Sequence, residues 1–191
     1  HVVLAQGIQS EEAYLTARRA GRGVVLSRAK RKAVWPVFEE YRASLGERGL
    51  IEADDAYGQV ADHINRQVGQ SQPAGPRPYA SVIIDETQDF GPQALRLIRA
   101  LAPVGSNDLF FVGDGHQRIY SRHRAAMSRC GIDIRGRARK LYLNYRTTEE
   151  IRRHAVACLE GCEIDDLDDG SDESKRYKSI AHGAEPEVVA V

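Results

Sequence analysis

The stretch Tyr79-Ala80-Ser81-Val82-Ile83-Ile84-Asp85-Glu86-Thr87-Gln88-Asp89-Phe90 decides how this chain is read. An apolar run of strand length, Val82 to Ile84, ends in three carboxylates, Asp85, Glu86 and Asp89. A continuous β-branched run reads as a strand buried in a parallel sheet, and in open α/β sheets the ligand sits beyond the carboxyl ends of the strands. Acids at that end are placed to meet a metal ion or a water held beside a phosphate. Taken alone, the same residues describe equally well a strand running into an acidic surface turn.

Two later stretches repeat the pattern. Leu109-Phe110-Phe111-Val112 runs into Gly113-Asp114-Gly115-His116-Gln117-Arg118-Ile119-Tyr120, and Leu141-Tyr142-Leu143 runs into Asn144-Tyr145-Arg146-Thr147-Thr148-Glu149-Glu150. Between the first two strands, Gly91-Pro92 sets Pro at a helix's first position, and Leu95, Ile98 and Leu101 line one face until Pro103. Strand, helix, strand is the right-handed crossover of a parallel sheet, so the predicted class is α/β, with helices flanking that sheet.

In order and spacing these clusters resemble the motifs of UvrD/Rep-type superfamily 1 DNA helicases. Asp85-Glu86-Thr87-Gln88-Asp89 resembles the Walker B motif, Gly113-Asp114 with Gln117-Arg118-Ile119-Tyr120 the third motif, and Asn144-Tyr145-Arg146-Thr147 the fourth. The resemblance covers Tyr79 to Leu159 and implies a partial RecA-like parallel sheet with a helical N-terminal portion. It also implies an ATP site. Phosphoryl transfer to water needs a metal-holding carboxylate, a group that orients the water, and polar or cationic contacts to the γ-phosphate. By resemblance, Asp85 holds Mg²⁺, Glu86 orients and deprotonates the water, Gln117 senses the γ-phosphate, and Arg146 stabilises charge in the transition state. Asp89 is expected to brace the motif, and His116 to face solvent.

The text departs from the family after Ile119-Tyr120. There the family continues with an aromatic that stacks on single-stranded DNA, followed by Arg-Gly-Ala; here stands Ser121-Arg122-His123-Arg124-Ala125. A guanidinium can lie on a base face and neutralise phosphate at once. The expected nucleic-acid contacts are therefore Tyr120, Arg122 and Arg124, and the expected partner is single-stranded DNA or a duplex junction. No G-x-x-x-x-G-K-[ST] phosphate loop occurs in the sequence, and Gly21-Arg22-Gly23 followed by Lys30 has the wrong spacing for one. With a start at His1, the expectation is a piece of a larger helicase, partnered by the remainder of that chain and unable to hydrolyse ATP by itself. Two rival readings are a non-catalytic docking module of helicase shape and a metal-dependent nuclease using Asp85, Glu86 and Asp89.

Basic and acidic residues number 27 each, and a net charge of zero argues neither for nor against nucleic acid. Their distribution says more. Arg118 to Lys140 is rich in arginine with Asp133 as its one acid, whereas Glu163 to Glu173 carries acids and no base. Such blocks read as a basic face and a solvated acidic linker. The three cysteines, Cys130, Cys158 and Cys162, lack metal-finger spacing and read as reduced thiols, which fits a cytoplasmic protein. No apolar run approaches the roughly 20 residues of a membrane span.

The flanks are assigned by local signals. His1 to Leu4 reads as a strand remnant, and Ser10 and Ser27 as N-caps. Ala33, Val34, Val37, Phe38, Tyr41 and Leu45 recur at helical spacing, with Trp35 in the core and Pro36 as a kink or the helix's true start. Asp54 or Asp55 is expected to cap the next helix, Gly69 to Pro78 to be a loop, and Thr147 with Glu150 to form a capping box. The tail from Pro186 reads as a strand. The expected domains are 1–75, the mainly helical portion; 76–160, the RecA-like core portion; and 161–191, the linker and the start of the second motor domain.

Overall fold

A computed structural model describes residues 2–17, 26–70, 76–118, 126–162, 164 and 176–189. The chain divides into two compact units, His1–Asp133 and Ile134–Val191. The described part is rich in helix and carries two small parallel sheets, one in each unit, so its class is α/β.

The first unit opens with four helices: α1 (Val2–Ala5), α2 (Glu11–Thr16), α3 (Arg28–Glu47) and α4 (Ala53–Gln70). Two of the starts follow from a serine. Ser10 Oγ accepts the amide of Ala13 and Ser27 Oγ that of Lys30, each satisfying a donor the first turn leaves open. The N-terminal stretch is a helix, not the strand remnant expected, because so short an apolar run has no period by which to tell the two apart.

Pro36 neither starts nor ends its helix; it lies inside α3. Proline there removes an intrahelical bond and costs about 3 kcal/mol. Its neighbour Trp35 is 5 % exposed, in a cluster with Val3, Ile8 and Tyr14. The Trp35 ring centroid lies 5.7 Å from that of Tyr14 and 6.3 Å from that of Phe38. Truncating such a Trp typically costs about 3–5 kcal/mol, so the packing outweighs the lost bond. Asp54 and Asp55 fall inside the first turn of α4 and do not cap it. Asp55 Oδ1 accepts instead from Arg42 Nη2 at 3.1 Å and Gln9 Nε2 at 3.2 Å, tying α4 to α3 and to the turn before α2.

β1 (Val82–Ile84) and β2 (Leu109–Phe111) pair in parallel, Val82 opposite Leu109 and Ile84 opposite Phe111. α5 (Pro92–Leu101) forms the crossover, with Pro92 in its first turn and Leu95 and Ile98 buried. α5 packs on α4 and on the 3₁₀ turn Met127–Cys130. Gly7 sits at φ 63°, and a Cβ there would lie 2.5 Å from Nε2 of the buried Gln93, so this turn closes directly on α5. Burial alone raises the Asp108 carboxyl, but Arg99 Nη1 at 2.7 Å and the amides of Gly105 and Leu109 outweigh it and hold that group below its ordinary value. This pair fixes the chain just before β2. Burial also pushes the Cys130 thiol up to about 11, which keeps it protonated and inert.

In the second unit, β3 (Leu143–Asn144) pairs in parallel with β4 (Lys178–Ser179), so the strand before Arg146 belongs to a sheet separate from that of β1 and β2. α6 (Glu149–Ala157) follows β3. Its cap is Thr148, whose Oγ1 accepts from the Ile151 amide, and not Thr147, whose hydroxyl accepts from Asn144 Nδ2 at 2.5 Å. The first turn of α6 then fastens β4 and the residues after it. Glu149 Oε2 accepts from the Ser179 amide at 2.7 Å, and Glu150 accepts from the Gly183 amide and from His182 Nδ1, each at 2.9 Å. Residues 186–189 form no strand, against the expectation for the tail. Gly21 to Gly23 and nearly all of the acidic linker lie outside the described residues.

Candidate functional site

The site begins where β1 stops. Glu86 has φ 52° and ψ 42°, the left-handed region, which a non-glycine residue enters at a cost of about 1–2 kcal/mol. It feeds a 3₁₀ turn, Thr87–Asp89. Through this turn Asp85 and Glu86 stay exposed while Thr87 and Gln88 are buried at 3 % and 2 % exposure. The turn is fastened to the end of β2: the Thr87 amide and Oγ1 donate to the Val112 carbonyl at 3.0 and 2.7 Å, and the Val112 amide donates to Ile84 O at 2.8 Å. Asp85 Oδ1 accepts the Glu86 amide at 2.8 Å, and Asp89 closes the turn through its own amide to Glu86 O.

The matching turn after β2 is built on Asp114. Its Oδ1 accepts the His116 amide at 2.9 Å and meets His116 Nδ1 at 3.1 Å; its Oδ2 accepts from Gln117 Nε2 at 2.9 Å. His116 is therefore half-buried against Asp114, contrary to the solvent-facing place expected for it. Gln88 joins the two turns, a role that sequence reasoning missed. Its Nε2 donates to Glu86 Oε2 at 2.6 Å, and its Oε1 accepts the Asp114 amide at 2.9 Å. Gly113 permits the approach, for a Cβ there would stand 2.9 Å from Gln88 Oε1 and 3.1 Å from the Thr87 backbone N.

Asp85, Glu86 and Gln117 thus share the carboxyl end of the β1–β2 sheet. No group of three His, Cys, Asp or Glu side chains among the described residues is arranged to hold a metal ion. Asp85 is exposed beside Glu86, and its Oδ2 accepts no hydrogen bond among the described residues, so that oxygen could serve as one of the few protein ligands that Mg²⁺ takes. Arg146 stands in the second unit. Asn144 Oδ1 accepts the Arg146 amide at 2.9 Å and the Thr147 amide at 3.4 Å, a side-chain-capped turn that sets the backbone at Arg146. The Arg146 side chain is exposed and makes no ion pair among the described residues. Tyr120, Arg122 and Arg124 lie outside the described residues.

The UvrD/REP helicase N-terminal domain family matches residues 9–130, well over half of the chain, and the chain belongs to that family. The match takes in Asp85, Glu86, Gln117, Tyr120, Arg122 and Arg124 and stops short of Arg146. It also reaches back over the helical stretch upstream of the motifs that carried the resemblance. No curated protein matches the chain. No helix among the described residues is long and apolar enough to cross a membrane.

Proposed function

We propose that this chain is part of an ATP-dependent DNA helicase or translocase that couples ATP hydrolysis to movement along single-stranded DNA. The observation that carries the reading is the meeting of Asp85, Glu86 and Gln117 at the carboxyl ends of two hydrogen-bonded parallel strands, where α/β sheets bind ligands. In this reading β1 and β2 are strands of a RecA-like sheet, residues 76–160 carry the ATPase motifs, and residues 161–191 lead into the second motor domain.

Each side chain then has one task. Asp85 would hold Mg²⁺, and the ion would supply charge neutralisation to the phosphates. Glu86 orients the attacking water and takes its proton. Gln117 keeps one N–H of its Nε2 on Asp114 and gives the other to the γ-phosphate. Arg146, unpaired among the described residues, offsets the charge that develops on the transferring phosphoryl group, a task worth about 10³ to 10⁵ in rate in comparable enzymes. Lysine lacks the planar fork for that role, so Arg146→Lys belongs with the inactive variants. Tyr120, Arg122 and Arg124 contact the strand.

The sequence holds no loop to cradle the phosphates, and the chain by itself is not expected to turn over ATP. The test is therefore ATP hydrolysis by the full-length protein, wild type beside Glu86→Gln, with single-stranded DNA at low and moderate salt. DNA-stimulated turnover that drops at least about 100-fold in the variant is the expected result, a loss typical of removing a general base. DNA binding without turnover in the wild type would replace this reading with a docking module.

A further inference from the structure

Gln88 is the buried polar side chain of the site for which that reading finds no task. At 2 % exposure its amide has left water, and such burial is tolerated only when both ends are hydrogen-bonded. Both are, and to groups that matter. The amino end meets the carboxylate of Glu86, a charge-assisted bond at 2.6 Å, and the carbonyl end takes the amide of Asp114 at 2.9 Å. Asp114 in turn holds Gln117 Nε2 at 2.9 Å. A continuous path runs Glu86, Gln88, Asp114, Gln117, spanning both turns. We propose that Gln88 is a positioning residue that couples the water-orienting carboxylate to the phosphate-sensing turn, so that engagement of Gln117 sets the place of Glu86.

The neighbouring residues are shaped to keep this path direct. Gly113 lacks the Cβ that would displace the Gln88 carbonyl, and Thr87 pins the same corner to β2 by two bonds to the Val112 carbonyl. With no slack in the corner, a shift of the Asp114 turn reaches Glu86 through one rigid amide. A residue that merely stitched the turns together would show itself in stability and nucleotide affinity; a coupling residue shows itself in the chemical step.

The proposal rests on Glu86 being the base, and the test separates the two. Gln88→Glu keeps an acceptor for the Asp114 amide and removes the donor to Glu86; Gln88→Met, uncharged and of similar length, is its companion in case carboxylate repulsion unfolds the first. In the full-length protein with saturating single-stranded DNA, each folded variant is expected to lose about 10-fold or more in kcat with KM for ATP changed less than about 3-fold. On a Glu86→Gln background, Gln88→Met is expected to add less than about 2-fold, because the carboxylate it positions is already gone. Wild-type kcat in both variants, or a full multiplicative loss on the Glu86→Gln background, overturns the coupling while leaving Glu86 as the base. Undiminished turnover in Glu86→Gln alone overturns the underlying reading and this proposal with it.

Discussion

At Glu86 the backbone and the side chain make opposing demands. The left-handed φ of 52° disfavours any residue with a Cβ, while the carboxylate satisfies the buried donor of Gln88. Removing strain at this position gains about 1 kcal/mol, and orphaning a buried amide costs about 1–3 kcal/mol, so replacing Glu86 by glycine brings no net stability. The strain is isolated by comparing two variants that both lack the carboxylate. Glu86→Gly is expected to be more stable than Glu86→Ala by about 1 kcal/mol in urea unfolding, since only glycine is relaxed at this φ. Equal stabilities would mean that the turn relaxes out of the left-handed region once the carboxylate is lost. The acids themselves were legible in the sequence because they follow an apolar run abruptly. Gln88 was not, since its meaning lies in a bond to an amide 26 residues away that no local pattern announces.

At the scale of elements, what could be read was what is decided locally. Ser10 and Ser27 cap as expected, and Gly91-Pro92 opens α5, because each signal acts within one turn. Pro36 does not start α3, because its cost is met by packing of Trp35 with side chains distant in sequence, and the tail misled because an apolar run becomes a strand only beside a partner. The first turn of α6 makes its own pH prediction. Arg152 beside Glu149 and His182 beside Glu150, with the amides of Ser179 and Gly183, hold both carboxyls at about 2, below the ordinary value of 4.5. A folded pKa below the unfolded one gives stability that is present above about pH 4.5 and lost as pH falls toward about 2. Hydrogen-exchange protection of the Ser179 and Gly183 amides should therefore collapse across that window. Protection that persists to pH 2 would show that strand pairing, and not the two glutamates, holds this segment.

For the molecule as a whole, the sheet faces and the charge balance act together. Val82-Ile83-Ile84 reads as a strand covered on both sides, yet only one side is covered: Ile84 is buried, whereas Ile83 and its register partner Phe110 are 78 % and 61 % exposed. An exposed pair of large apolar side chains, on a sheet that gains no third strand among the described residues, is expected to promote association. Net charge offers no defence, being zero at pH 7 with an isoelectric point near 7.2. The chain should thus self-associate most at neutral pH and less as pH moves to either side. Replacing Ile83 and Phe110 together by threonine puts a β-branched, strand-compatible residue at both positions and removes the apolar face. Light scattering of the double variant at pH 7.2 is expected to report less association than wild type, with the thermal midpoint lowered by no more than a few degrees, because exposed side chains contribute little to the core. Unchanged scattering would move the association site away from this sheet. A large fall in the midpoint would instead mean that Ile83 and Phe110 are covered in solution, and that self-association is what completes the fold of the chain.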